Sequence, residues 1–343
     1  MKKKIFFSIL IALLLLAAFG AYWFWQIYYK PNVHTKGNKT EYFYVHTGTT
    51  MPELVAQLKQ EKFVDDTSSF MMTAKLKKFS APKPGRYHIK DGMDNRDLVN
   101  MLRAGLQEPV KFEFNNIRTK EKLASRVGAK LEADSAQFLL LLNDAGFLHK
   151  YGLNPDNIMT LFIPNTYELN WNTSEEQFFD RMAAEYKKFW TAERKSEAAA
   201  IPLSQSDVII LASIVESEQM NDTKEQSIIA GLYINRLHIG MPLQADPTLI
   251  FALGDFSIQR VLDADKQLKS PYNTYMYAGL PPGPIRIPST SAVDAVLNYY
   301  KSNYLYMCAE FGTGHNKFTA DYNEHCRNAK AFTDALNKAN IRR

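Results

Sequence analysis

The feature that most constrains this chain is an unbroken apolar run near its N-terminus. Residues 5–25 read IFFSILIALLLLAAFGAYWFW, and no charged side chain follows until Lys30. At 1.5 Å per residue, a helix of this length spans the roughly 30 Å hydrocarbon core of a bilayer. Three lysines precede the run at positions 2–4, and aromatic residues cluster at its other end. The pattern predicts a transmembrane helix over residues 5–29, with a short tail at 1–4 inside and the rest of the chain outside.

A cleaved signal peptide is the competing interpretation of the same segment. Ala18 and Gly20 form a small-x-small pattern of the kind that signal peptidases recognise. The apolar run is longer than a usual signal core and continues past that pattern. We therefore favour a retained anchor, followed by a polar linker over residues 30–40.

The charge and cysteine content exclude several classes of protein. Lys plus Arg number 41 and Asp plus Glu 36, so the net charge is +5, and three of the positive charges are the N-terminal lysines. This balance argues against a nucleic-acid-binding protein. The two cysteines, Cys308 and Cys326, supply neither a disulfide framework nor a Cys-rich zinc site, and their pairing stays open.

An internal repeat follows the linker. The segment VHTGTTMPELVAQLK from Val45 matches IKDGMDNRDLVNMLR from Ile89, with Gly48 aligned to Gly92. Each copy predicts a strand, a glycine turn and an amphipathic helix. A fainter third copy begins near Phe114 and lacks the glycine.

The remaining sequence predicts an α+β domain. Strand-like segments are expected over residues 108–114 and 161–171, helices over 176–200, 207–220 and 321–340, and an ordered irregular loop over 270–289. The helix over 207–220 should begin with Ser206 or Asp207 as its N-cap.

Two glutamates stand on the most apolar of these helices. Glu216 and Glu218 end the run VIILASIV and point in directions about 200° apart on a helix. Apolar walls disfavour the charged form of a carboxyl group, which suits a proton donor. The alternative, in which both glutamates end the apolar run and point to water, stays open on periodicity alone.

Four further blocks in order give the sequence its resemblance to a known family. They are LASIVESE around Glu216, INRLHIGMPLQADPT (234–248), YNTY with GLPPGPI (272–285), and the later His315 and Phe318. The chain resembles the endolytic murein transglycosylases, the YceG-like proteins. IPNTYEL near Tyr167 extends the likeness, and the repeat copies resemble that family's LysM-like subdomain.

The resemblance implies the organisation and the activity. It implies a LysM-like subdomain over residues 41–108 and a catalytic domain over 109–343. It further implies cleavage of the bond between N-acetylmuramic acid and N-acetylglucosamine within glycan strands, leaving 1,6-anhydro ends and terminating nascent strands. Glu216 matches the catalytic position, and Glu218 matches a second glutamate expected to be supporting. Gln219 stands where the family usually has Thr.

The remaining polar residues of these blocks are candidates for substrate binding. They are Glu218, Gln244, Asp246, Thr248, Asn273, Thr274, Tyr275 and His315. The alternative for Gln244, Asp246 and Thr248 is a turn that caps the following helix, and for residues 273–275 it is locking the loop. His315 would form hydrogen bonds at the edge of the cleft. His315 has no nearby ligands in the sequence, so we expect no metal site there. We expect no cofactor, because the sequence has no P-loop and no dinucleotide-binding glycine pattern.

The expected partners and location follow from the resemblance. The expected partners are peptidoglycan glycan strands; peptidoglycan synthases stay open as partners, and no nucleic acid is expected. The expected location is the bacterial cytoplasmic membrane, which the chain crosses once, with its N-terminus in the cytoplasm and its catalytic domain periplasmic or extracytoplasmic. Two other functions remain open: a non-catalytic wall-binding protein, and a muramidase that uses water.

Overall fold

The computed structural model describes residues 2–37 and 39–339. The described part is a mixed α and β protein that begins with one long apolar helix, α1 (Lys2–Tyr28). An 18-residue window within Lys3–Tyr28 has a mean hydropathy of 2.5, and none of that window is buried in the protein. A membrane anchor and a signal sequence both have these properties. The fold class predicted from the sequence is therefore confirmed at this level.

The chain divides into two compact units. Unit 1 comprises the chain up to Phe112 together with Lys130–Ala133 and Tyr167–Ser174. Unit 2 comprises Glu113–Ala129, Asp134–Thr166 and the chain from Glu175 onward. Each unit has its own hydrophobic core.

Unit 1 is built from the two repeat copies. Strand β1 (Thr40–Val45) precedes helix α2 (Met51–Gln60), and β2 (Gly85–Lys90) precedes α4 (Asn95–Ala104), with α3 (Thr67–Leu76) between the copies. The strands pair antiparallel, with Val45 opposite Gly85. The strand, turn and helix predicted for each copy are thus present.

The turns explain why both copies contain a glycine. Gly48 and Gly92 have φ values of +85° and +76°, a region that L side chains rarely adopt. The third copy is also a strand followed by a helix, β3 (Val110–Phe114) and α5 (Lys120–Lys130). Its turn contains Asn116 at φ +47°, and asparagine is the residue that tolerates this conformation best after glycine.

Strand β4 (Asn165–Leu169) pairs with β3, and most residues of both strands belong to unit 1.

Unit 2 is mainly helical. After α5, its α-helices and strands are α6 (Ser135–Leu141), α7 (Ala145–Leu148), α8 (Glu175–Phe189), α9 (Ala192–Ala200), α10 (Gln205–Glu218), α11 (Thr223–His238), α12 (Asp246–Leu253), α13 (Thr290–Leu297), β5 (Tyr306–Ala309), β6 (Asn316–Thr319) and α14 (Tyr322–Lys338).

Several predicted boundaries are wrong. The helix expected over 176–200 is two helices, because Trp190 is buried between them and the Thr191 side chain caps α9 by accepting from the Arg194 N–H. Helix α10 begins two residues early, since Ser204 and Asp207 form a capping box. The strand predicted over 161–171 shortens to β4, and the hairpin of β5 and β6 was not predicted. The end of the last predicted helix, residue 340, lies outside the described residues.

Helix α10 is the centre of unit 2. Its residues from Val208 to Glu216 are all buried, as a helix apolar on every side requires. It packs against α11 and α13, and the irregular segment 270–289 runs beside it. The two glutamates at its C-terminal end are consequently held by a rigid core element.

Candidate active site

The last turn of α10 presents its two glutamates to different surroundings. Glu216 faces the segment that leads into α13, and Glu218 faces α11 and α12. Gln219 then leaves the helix in an extended conformation. The divergence predicted from helical geometry is present.

Glu216 is held in a buried charge pair. The Nε of Arg286 lies 3.3 Å from its Oε2, and the backbone N–H of Ser289 donates to both carboxylate oxygens at 3.2 Å. Side-chain exposure is 10% for Glu216 and 3% for Arg286. Burial lowers the pKa of Arg286, and the neighbouring Glu216 opposes that shift. The apolar walls expected around Glu216 are therefore replaced by a cation and an amide donor.

Glu218 has the desolvated environment that the sequence predicted for Glu216. It is half-buried, and the Tyr233 hydroxyl donates a 2.7 Å hydrogen bond to its Oε1. The pKa of Glu218 is raised to about 7, chiefly by desolvation; the hydrogen bond from Tyr233 and the charge of Arg236 lower it, and nearby Asp246 raises it. A carboxyl group with this pKa can both give and take a proton at neutral pH.

A second carboxyl group lies near Glu218. Asp246, at the start of α12, accepts a short hydrogen bond from the Tyr275 hydroxyl. Desolvation raises the pKa of Asp246, and burial beside this carboxylate raises that of Tyr275. Both side chains are half-buried. Glu218, Asp246, Tyr233 and Tyr275 thus form one polar cluster, which we call the Glu218 cluster.

Three of the predicted substrate contacts are buried and bonded within the protein. The Asn273 side-chain amide donates to the carbonyls of Lys266 and Leu268. The hydroxyls of Thr248 and Thr274 bond to each other, and Thr274 also accepts from the Ala245 N–H. These contacts correspond to the alternative in which the residues lock the loop.

Gln244 lies at the edge of the same loop and is exposed. Its φ of +52° is unusual for a residue with a Cβ, and its N–H donates to the Thr274 carbonyl. The Gln244 residue is thus exposed to solvent, whereas nearby Thr248 is fully buried.

His315 is not isolated in space, and the expectation that it lacks neighbouring ligand groups is wrong. Its Nδ1 lies 2.6 Å from Glu225 Oε2 and 3.9 Å from Asp222 Oδ2. The three ligand atoms lie within 4.8 Å of one another. The hydrogen bond with Glu225 raises the pKa of His315. Glu225 also accepts from the backbone and side-chain amides of Asn316.

These contacts fasten the hairpin of β5 and β6 to the end of α10. The Gln219 side chain donates to the Gly314 carbonyl at 2.9 Å, and Gln226 donates to the Gln219 carbonyl at 2.7 Å. Gln219, at the position where the resemblance implied Thr, therefore connects the end of α10 to the hairpin. Both cysteines of this C-terminal region are free thiols.

Sequence reasoning missed Tyr233 and Arg286. Tyr233 lies on α11 and Glu218 on α10, so no helical periodicity links the two residues. Arg286 follows the GLPPGPI block directly, and its charge within an apolar stretch, IRIP, was the available signal. Asn235 and Arg236 of α11 donate to backbone carbonyls of the segment that leads into β5.

Comparison with known proteins places the chain in a family. It matches the YceG-like family over residues 43–331, and it belongs to that family. This confirms the resemblance drawn from the four blocks.

Curated relatives and a solved structure agree. The chain is 28% identical to the endolytic murein transglycosylase of Streptococcus pneumoniae strain D39, over 95% of this chain and 64% of that protein. It is 27% identical to the endolytic murein transglycosylase of Bacillus subtilis strain 168, over 86% of this chain and 85% of that protein. The chain thus spans somewhat less than two thirds of the pneumococcal relative. A crystallised putative yceG-like protein from Listeria monocytogenes matches with a TM-score of 0.55 and 26% identity, covering 85% of this chain and 99% of that one.

Proposed function

We propose that this protein is an endolytic peptidoglycan lytic transglycosylase and that Glu218 is its acid and base. The named relatives support the reaction class. The observation that carries the residue assignment is the half-buried Glu218 carboxyl, whose pKa lies near 7. Glu216, which the resemblance implied for this role, forms a buried ion pair with Arg286, and this proposal gives it a structural role.

The reaction needs one carboxyl group. Protonated Glu218 gives its proton to the glycosidic oxygen between N-acetylmuramic acid and N-acetylglucosamine as the bond from that oxygen to C1 breaks. The resulting carboxylate takes the proton of the muramic acid 6-hydroxyl, whose oxygen bonds to C1 and closes the 1,6-anhydro ring. Because the nucleophile belongs to the substrate, the second carboxylate of most glycosidases is not required.

The neighbours of Glu218 have defined parts in this scheme. Tyr233 holds Oε1, so Oε2 is the atom that exchanges the proton. Desolvation and, to a smaller extent, the Asp246 carboxyl favour the protonated form of Glu218 that the first step uses. Tyr275 and exposed Gln244 are the candidates for hydrogen bonds to the sugar.

The rest of the proposal concerns location and partners. Helix α1 would span the cytoplasmic membrane once, with its lysines inside and both units outside. The paired repeat copies of unit 1 would be the LysM-like subdomain that holds glycan strands. Cutting strands close to the membrane would end the elongation of nascent chains, and synthases that make those chains would be partners.

A matched pair of variants tests the assignment. Glu218→Gln should lower kcat/KM on intact murein by about 10²–10⁴-fold while leaving the fold intact, because it removes general acid and base catalysis. Glu216→Gln should retain most activity per folded molecule, measured at a temperature where circular dichroism shows both variants folded. The opposite ranking would return the catalytic role to Glu216.

Product mass separates the reaction from its two alternatives. Transglycosylation gives anhydro ends that are lighter by one water than hydrolytic ends. Reducing ends alone would identify a muramidase, and uncut murein that still binds would identify a wall-binding protein.

A further inference from the structure

The outer face of helix α3 carries large apolar side chains. Met71, Met72 and Leu76 are 42%, 38% and 54% exposed, and Lys75 lies among them. The opposite face, with Phe70 and its neighbours, is buried in the core of unit 1. A solvent-facing helix surface is usually polar, so this face is suited to contact something other than water.

Helix α3 lies directly against the end of α1. The Ile27 carbonyl, in the last turn of α1, accepts from the Thr73 hydroxyl at 3.2 Å and from the Asn95 amide at 2.8 Å. Tyr28 is only 9% exposed, because its ring is covered by unit 1. The end of α1 is therefore part of the folded unit, and α3 is held where α1 would leave the bilayer.

Positive charge accompanies the apolar side chains. Lys75 and Lys78 are exposed, and the Lys77 ammonium lies 5.2 Å from the Tyr28 ring centroid. The acidic residues nearest in the chain, Asp65 and Asp66, lie at the other end of α3, where Asp66 caps the helix. Apolar side chains beside lysines are the pattern by which a helix binds the surface of an anionic membrane.

We propose that the outer face of α3 rests on the membrane surface. Met71, Met72 and Leu76 enter the interface, and Lys75, Lys77 and Lys78 contact the headgroups of anionic phospholipids. The proposal rests on α1 spanning the membrane, and it is independent of which glutamate is catalytic. Unit 1 would then lie on the bilayer, attached at two points instead of one.

Site-specific fluorescence tests the placement in the full-length chain. Cys308 and Cys326 are first replaced by Ser, and a single cysteine labelled with an environment-sensitive dye is placed at Met71, Met72 or Leu76. The protein is reconstituted into vesicles containing equal amounts of phosphatidylcholine and phosphatidylglycerol. We expect blue-shifted emission and protection from aqueous iodide at all three positions.

Two controls make the result interpretable. Leu106 is 67% exposed and lies just after α4, at the opposite end of that helix from Asn95. A dye on Leu106→Cys should remain accessible to aqueous iodide in the vesicles. Leu13→Cys reports whether α1 itself is in the bilayer. A protected Leu13 with α3 positions as accessible as Leu106 would overturn the proposal and leave the anchor intact, and an accessible Leu13 would overturn both.

Charge reversal tests the lysines separately. Lys75→Glu with Lys77→Glu should reduce the blue shift at Met72 in the mixed vesicles and have little effect in phosphatidylcholine alone. The matched pair Lys59→Glu with Lys111→Glu carries the same charge change elsewhere on unit 1 and should leave the shift unchanged. Equal effects of the two pairs would refute specific headgroup contact.

Discussion

Two glutamates separated by one residue have opposite environments. Glu216 meets a buried guanidinium, and Glu218 meets a tyrosine hydroxyl and a second carboxyl group. The sequence could predict that the two side chains diverge, because helical geometry alone requires it. It could not predict which side is apolar, since Arg286 and Tyr233 reach α10 only through the tertiary fold.

The raised pKa of Glu218 predicts how stability depends on pH. In the folded state this carboxyl binds its proton more tightly than in the unfolded chain, so the free energy of unfolding should fall as pH rises from about 4.5 to about 7. Glu218→Gln removes the ionisation and should raise the free energy of unfolding at about pH 8 by about 1–3 kcal/mol, with little change at about pH 4.

Thermal or urea unfolding at the two pH values provides the measurement. Glu121→Gln makes the same chemical change at an exposed position of α5 and should show no such pH dependence. An equal effect of both variants at pH 8 would mean that burial of Glu218 does not cost stability.

At the scale of elements, the irregular loop beside α10 is as important as the helix. The Ile285 N–H donates to the Ser213 hydroxyl, and the Ser289 N–H donates to Glu216. The composition of residues 270–289, rich in Pro, Gly, Asn and Tyr, predicted an ordered loop, and the structure contains one. Its path along α10 depends on these hydrogen bonds, which no local pattern encodes.

Gly283 has a specific reason to be glycine. A Cβ at this position would lie 1.9 Å from the Asp156 carbonyl oxygen and 2.9 Å from the Tyr272 hydroxyl. We expect Gly283→Ala to shift the loop and lower the free energy of unfolding by about 1–3 kcal/mol, as overpacking does. Pro282→Ala, at the half-buried neighbouring position, should cost less. Equal melting temperatures of Gly283→Ala and the parent would contradict the close approach.

At the scale of the whole molecule, the end of α1 is folded together with the rest of unit 1. Asn95 is fully buried, and its amide donates to the Ile27 carbonyl and to the Ser69 hydroxyl, while its own carbonyl accepts from Asn32. This network joins α1, α3 and α4. The first residues of the linker predicted over residues 30–40 are consequently part of the folded unit, since Asn32 and Val33 are buried.

Replacing the centre of this network should loosen the junction. Asn95→Leu leaves several buried polar groups without partners and should lower the free energy of unfolding by about 2 kcal/mol. The measurement is urea unfolding of the full chain in detergent micelles. Asn100→Leu, at a half-buried site on the same helix, is the matched control. Equal stability of the two variants would show that the network does not hold the junction.

The sequence by itself determined what depends on local pattern. The apolar run fixed α1, the duplicated spacing fixed two strand–turn–helix copies with their positive-φ glycines, and the all-apolar helix fixed the core of unit 2. Such features follow from periodicity, hydrophobicity and turn chemistry, which act over a few residues.

Only the tertiary structure decided how residues distant in the chain meet. It brought Arg286 to Glu216, Tyr233 and Asp246 to Glu218, and Glu225 to His315. Protonation depends on desolvation and on charges a few ångströms away, and those are properties of the packed molecule. The family could therefore be identified from ordered blocks, while the distinction between the two glutamates needed the fold.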